Sequence, residues 1–206
     1  MRRILIALLA SYLLGSISFS YFLGKIIKKV DIRDLGTNNA GATNAFNELG
    51  IMAGVITAVC DMLKGLIAVS ISSLMFGIDV NMQALCGLFA IVGHIYPFYL
   101  GFRGGKGLAT IIGVSLGIGF WFGLIAFITL VIVSAVTDYL PIGTAAVCIC
   151  CFVMVYAKYK ACWASLIFAA IAVVMIIKHI PNFVRIYNKQ EKSVSSALKG
   201  AGKKAS

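Results

Sequence analysis

The sequence predicts an all-α, polytopic membrane protein of about seven transmembrane helices joined by cytoplasmic, glycine-rich loops. Three observations lead there. Of 206 residues, 61% are hydrophobic and only 12% charged, about half the charged fraction of an ordinary soluble domain. The apolar residues fall in continuous blocks of roughly 20, the length with which a helix crosses a bilayer, and not in the alternating pattern of a barrel strand. The basic residues behind the net charge of +11 (Lys25, Lys28, Lys29, Arg33, Arg103, Lys106 and a tail from Lys178 to Lys204) stand beside the ends of those blocks. That placement follows the positive-inside bias and the pull of anionic headgroups, so it points to membrane lipids and away from nucleic acid.

The first block covers residues 4–27. Arg2, Arg3, the apolar run and the small Ser16 and Ser18 imitate a secretory signal, but the apolar stretch continues to Ile27 and further blocks follow, so it reads as an uncleaved helix. A polar loop spans 28–50, a second helix 51–76, a turn 77–81, a third helix 82–100 and a second loop 101–106. The run 107–136 is too long for one untilted helix and holds Gly113, Gly117, Gly119 and Gly123; it divides near Gly117 and Gly119 into two shorter helices. After a turn at 137–141 come a sixth span at 142–156, a turn at 158–160 and a seventh span at 162–177. Seven spans put the loops 28–50, 101–106 and 137–141 on the side of the C-terminal tail, and the basic residues make that side cytoplasmic. Residues 1–192 form one integral-membrane domain; 193–206 is a basic tail expected to be disordered. The six cysteines (Cys60, Cys86, Cys148, Cys150, Cys151, Cys162) lie in apolar runs without histidine at zinc spacing, which argues for helix packing and against a metal site.

Polar chemistry is confined to a few segments. In 31–44, Gly36 and Gly41 permit positive φ, while Thr37, Asn38, Asn39, Thr43 and Asn44 supply short polar side chains. The segment either folds its N–H groups into an anion-binding nest ahead of a helix N-terminus or serves as a polar turn. In 101–107, Gly104, Gly105 and Lys106 resemble a Walker loop, but Leu100 stands where its first glycine belongs and Gly107 where Ser or Thr follows the lysine. Nucleotide hydrolysis does not fit. The glycines still let backbone approach a phosphate, with Lys106 as a point charge; Arg103 either joins it or anchors headgroups. Asp61 and Lys64 share one face of the second helix and either pair with each other or face a site. His94 alone reads as an interfacial histidine. His179 and Asn182, followed by Arg185, are better site candidates because the topology sets them beside both glycine loops. The sequence holds no histidine with Asp after four intervening residues, no Gly-x-Ser-x-Gly elbow and no His-Glu-x-x-His.

Taken in order, the segment 36–44, Asp61-Met-Leu-Lys-Gly65, Gly93-His-Ile-Tyr-Pro97, Phe102-Arg-Gly-Gly-Lys-Gly107 and His179-x-x-Asn182-x-x-Arg185 resemble the bacterial acyl-phosphate-dependent glycerol-3-phosphate acyltransferases. The resemblance implies a multi-pass protein of the bacterial cytoplasmic membrane with its active site facing the cytoplasm. It also implies transfer of an acyl chain from acyl phosphate to the 1-hydroxyl of glycerol 3-phosphate, giving lysophosphatidic acid and phosphate, without metal or cofactor. It assigns Lys106, His179, Asn182 and Thr37 to catalysis, and Gly36, Asn39, Gly41, Thr43, Asn44, Arg103, Gly104 and Gly105 to phosphate binding. An acyl phosphate already carries a good leaving group, so positioning and oxyanion stabilisation suffice; the family is thought to let the acceptor's own phosphate take the hydroxyl proton.

The chain departs from the family pattern at Thr37-Asn38-Asn39 (usually Ser-Gly-Asn), Asn47 (usually Arg), Asp138-Tyr-Leu-Pro141 (usually Arg-Tyr-Val-Ser) and Pro181. These changes fall on the acceptor side, so the sequence predicts weaker binding of glycerol 3-phosphate. They leave two alternatives: a different acceptor, or a non-catalytic lipid-binding or transporter-like protein. Concentration of the motifs on one membrane side argues against transport.

Overall fold

A backbone in lipid has no water to bond, so the apolar blocks close their hydrogen bonds internally as helices. The computed structural model describes residues 1–198, and among them are nine α-helices up to Tyr187, a further helical stretch at 194–198, two short 3-10 turns and no strand. The helices are α1 (Arg2–Ser16), α2 (Phe19–Ile27), α3 (Ala42–Leu49), α4 (Ile51–Phe76), α5 (Val80–Ile95), α6 (Leu108–Ile118), α7 (Phe120–Thr137), α8 (Leu140–Tyr159) and α9 (Trp163–Tyr187).

Six segments are long and apolar enough to cross a membrane: Arg2–Ile27, Ile51–Phe76, Val80–Leu100, Phe120–Thr137, Leu140–Tyr159 and Trp163–Tyr187. The seventh, α6, has 11 residues and is about 16 Å long, about half the hydrocarbon thickness. The expected seven spans are thus six full crossings and one half-length helix. The break between α6 and α7 falls at Gly119, within the glycine cluster that predicted it. Close approach explains the other glycines there. A side chain on Gly113 would meet the Met62 carbonyl, and one on Gly65 the Thr110 carbonyl, so α4 and α6 pack backbone to backbone.

The first span is broken at Ile17 and Ser18, where freed backbone groups need partners inside the bilayer. Tyr99 supplies two: its hydroxyl accepts from the Ser18 N–H and donates to the Ser16 carbonyl, both at 3.0 Å. Lys64 donates to the Ile17 carbonyl at 2.9 Å and pairs with Asp61 at 2.7 Å. The two intramembrane charges therefore pair with each other, and the lysine also mends the kink.

The last span runs well past residue 177, where the first charge had set its expected end. It continues through Lys178, His179, Pro181, Asn182 and Arg185, because His179 and Asn182 are buried against protein and not against lipid. Pro181 does not end α9, although it deprives the helix of one N–H.

Contacts show which loops share an end. The Ala40 N–H donates to the Gly104 carbonyl at 3.3 Å, Lys106 bonds Asn182, and the Val194 N–H donates to the Asp138 carbonyl at 2.9 Å. The first loop, the glycine turn, the α7–α8 turn and the chain after α9 therefore lie together, as the seven-pass topology requires. At the other end, the Ala164 N–H bonds Asn81, and Phe122 stacks on Tyr159. Residues 194–198, within the expected tail, are helical, and the Ser195 N–H donates to the Asp138 carboxylate. Residues 199–206, expected to be disordered, lie outside the described residues.

Candidate active site

The first loop is organised by one residue. Asn44 is fully buried; its Nδ2 donates to the carbonyls of Ile32, Leu35 and Asn39 at 2.9–3.0 Å, and its Oδ1 accepts the Thr37 N–H at 2.9 Å. Both its amide protons are committed to the loop, so Asn44 is a scaffold and not the phosphate ligand expected. Gly36, at φ 55, lies against it: a Cβ there would stand 2.4 Å from Asn44 Oδ1. Asn39 Nδ2 donates to Thr37 Oγ1 at 2.9 Å, leaving the exposed Thr37 hydroxyl its own proton to donate. Arg33 ties the loop to the bundle by bonding the Leu100 carbonyl and Asp31. Its hydrogen bonds hold the Asp31 carboxyl below the usual carboxylate range.

Two helix starts flank the second loop. Gly41 precedes α3 and Gly107, at φ 93, precedes α6, and neither helix has a side-chain cap. Their first-turn N–H groups, including those of Thr43 and Leu108, have no intrahelical partner and favour an anion. The loops touch here, since a Cβ on Gly41 would lie 3.8 Å from Gly105 Cα. Gly104 and Gly105 do something other than expected. Their N–H groups donate to the carbonyls of Ile95 and His94, each at 3.1 Å, so they cap α5 and are not offered to a phosphate. Glycine is needed for closeness: side chains at 104 and 105 would meet the His94 carbonyl at 2.1 Å and His94 Nε2 at 2.2 Å.

Lys106, next in the chain, points to Asn182 Oδ1. Burial, reinforced by the nearby Arg185 guanidinium, pulls its ammonium down to about 8. Asn182 Nδ2 in turn donates to Glu191 Oε1 at 2.6 Å, and Arg185 Nε to Glu191 Oε2 at 2.6 Å. His179 Nδ1 lies 2.8 Å from the Met175 carbonyl. A carbonyl only accepts, so Nδ1 carries the proton and a neutral ring presents Nε2 as an acceptor. This ring packs at an apolar seam between α8 and α9 formed by Thr144, Ala145, Cys148, Met175, Ile176 and Phe183, with no room for a water molecule. Arg103 stands exposed at the rim.

The structure thus joins Lys106, Asn182 and the two helix starts, brings Arg185 to them, and places His179 one helical turn along α9. Sequence reasoning missed Glu191, which lies near the end of the expected domain and organises Asn182 and Arg185. Its only signal was an acid six residues after Arg185 in a basic stretch; a turn folding the Gln190 N–H back to the Arg185 carbonyl makes it local. Two departures also find structural reasons. The Asp138 carboxylate accepts from the Ser195 N–H at 2.8 Å and from its hydroxyl at 2.6 Å. Pro141 occupies the first turn of α8, where a missing N–H costs no helical bond.

Comparison with known proteins agrees with this geometry. Residues 5–189 match the family described as glycerol-3-phosphate acyltransferase. A relative, glycerol-3-phosphate acyltransferase 2 of Bacillus anthracis, is 37% identical over 194 residues, covering 92% of this chain and 98% of the relative. The fold is similar to a crystal structure of PlsY (YgiH), an integral membrane glycerol 3-phosphate acyltransferase, in its glycerol 3-phosphate form: TM-score 0.86, 32% identity, 92% of this chain and 94% of that one. The lysophosphatidic acid form of PlsY gives a TM-score of 0.85 at 29% identity, covering 95% and 98%. With the family matched across nearly the whole chain, this protein belongs to the integral-membrane glycerol-3-phosphate acyltransferases.

Proposed function

We propose that the chain transfers an acyl group from acyl phosphate to the 1-hydroxyl of glycerol 3-phosphate, giving lysophosphatidic acid and inorganic phosphate. The setting of Lys106 carries this reading: a partly buried ammonium bonded to Asn182, between two uncapped helix starts. Such a constellation suits a phosphate. Among the described residues no nucleophile hydrogen-bonded to a base stands beside it, which suits a donor that arrives already activated. The hydroxyl oxygen attacks the acyl carbon, the carbon–oxygen bond to phosphate breaks, and the hydroxyl proton passes through the acceptor's phosphate to the departing one. Lys106 and the helix N–H groups stabilise phosphate and oxyanion charge. Thr37 and His179 Nε2 orient polar groups of the substrates.

The loop-bearing end faces the cytoplasm of a bacterial cell in this reading, because it holds Lys25, Lys28, Lys29, Arg33, Arg103, Lys189 and Lys192, against Arg2, Arg3, Lys158 and Lys160 at the other end. The test uses purified protein with palmitoyl phosphate, palmitoyl-CoA or palmitoyl carrier protein, each with glycerol 3-phosphate. Palmitoyl phosphate alone should support lysophosphatidic acid formation, with one phosphate released per ester formed. Equal use of palmitoyl-CoA, or esters without phosphate release, would overturn the donor assignment.

A further inference from the structure

Three side chains that the reaction does not use meet beneath the glycine turn. Asp61 and Lys64 are each 2% exposed, paired at 2.7 Å inside α4. His94, 7% exposed at the end of α5, places Nδ1 3.5 Å from Asp61 Oδ1. Lys64 also holds the Ile17 carbonyl at the kink between α1 and α2. The cluster therefore joins three membrane elements, and its upper surface is the glycine turn. The His94 and Ile95 carbonyls, left open by the end of α5, accept the Gly105 and Gly104 N–H groups. The other edge of the His94 ring lies directly under Gly105, so near that a Cβ would stand 2.2 Å from Nε2. Lys106 is the next residue.

We infer that His94 is a positioning residue for Lys106: packed beside Asp61, its ring is the floor that sets where the Gly104–Gly105 turn, and with it the Lys106 ammonium, can lie. This rests on the reading of Lys106 as the phosphate-binding cation. His94 and Asp61 lie together in space in a way the spacing of the sequence does not announce, and the other edge of the ring faces Gly105. The ring edge thus contacts the turn that carries Lys106. The cluster is more than an ion pair that offsets its own burial. A buried pair by itself has no need of the ring edge beneath Gly105, whereas a floor must be filled and rigid, and a displacement on the order of 1 Å at a reacting group is worth roughly 100-fold in rate.

The test is a double-mutant cycle on the intact protein in detergent, read as kcat at saturating substrates beside the melting temperature. Gly105→Ala drives a methyl into the ring and should lower kcat about 10- to 100-fold. His94→Ala removes the floor and should lower kcat about tenfold. Combining them gives the new methyl the space the ring left, so the double variant should be more active than Gly105→Ala alone. Losses that simply multiply would overturn the inference, as would His94→Ala with full kcat. If His94→Ala does not accumulate, His94→Asn keeps a donor for Asp61 while shortening the floor, and it should relieve Gly105→Ala in the same way; no relief sinks the idea. Melting temperatures that fall while kcat per folded protein stays at the unaltered value would leave His94 a structural residue only. Lys106→Ala with full activity would remove the phosphate reading instead, and the coupling between 94 and 105 could still be measured on that activity.

Discussion

The two loops that meet at the site reach their shapes by opposite means. The segment 31–44 is organised chiefly from within: Asn44 binds four of its backbone groups and Arg33 pairs with Asp31, with Arg33 and Ala40 as its ties to the rest of the bundle. The segment 101–107 has little of its own to hold it. Its glycines are bonded to the end of α5, its lysine to Asn182 on α9, 76 residues away. A self-satisfied loop can present a fixed row of donors, whereas a loop held from outside takes its position, and the state of its charge, from the rest of the bundle.

The difference can be broken from either side. The largest effect should come from Asn44→Ala, which removes the partner of the Thr37 N–H and the Asn39 carbonyl and the second partner of the Ile32 and Leu35 carbonyls, at about 1–3 kcal/mol for each group left unsatisfied. Hydrogen exchange should then rise across 32–44 while 101–107 stays protected; uniform loss of protection in both loops would contradict the local character of the first. Lys106→Ala should leave membrane insertion and melting intact. Loss of a charge-assisted hydrogen bond, about 1.5–3 kcal/mol, should lower turnover roughly 10- to 200-fold, and near-native activity would refute the assignment.

The pH response sharpens the contrast, because the second loop carries a cation whose value is lowered, whereas Asp31 raises that of Arg33 in the first. With its value lowered to about 8, Lys106 is charged below that pH and loses its proton as pH rises through it. Activity should therefore fall above about pH 8, and Lys106→Arg, which stays charged, should remove that limb of the profile. The stability contribution has the reverse sign. Between pH 8 and the ordinary lysine range the unfolded chain binds more protons, so this group favours the folded state increasingly as pH rises. An activity limb that persists in Lys106→Arg would assign the titration elsewhere. The smallest effect should be at Asp138, whose carboxylate is bonded to Ser195. Asp138→Asn should change the KM for glycerol 3-phosphate less than about twofold, whereas Asn47→Arg, restoring a charge near a dianionic acceptor, should lower it severalfold. Equal shifts at both positions would return Asp138 to the acceptor site.

What the sequence by itself determined was whatever depends on neighbours along the chain. Lipid as solvent dictates helices from composition, the glycine cluster places the α6–α7 break at Gly119, and spacing puts Asp61 on one face with Lys64. Parity of the spans brings the polar loops to one end. What only the tertiary structure decided was which groups are already satisfied. Asn44, Gly104 and Gly105 have the composition of a phosphate nest, and nothing local reveals that Asn44 is committed to loop carbonyls or that the glycine N–H groups cap α5. Glu191 becomes a partner of Asn182 only once the chain turns back after α9, and His94 becomes a floor for Gly105 only when α4, α5 and the glycine turn pack together. A donor or acceptor inside a membrane protein must find a partner somewhere. Sequence states that the partner is needed, but folding alone selects it among residues many positions away.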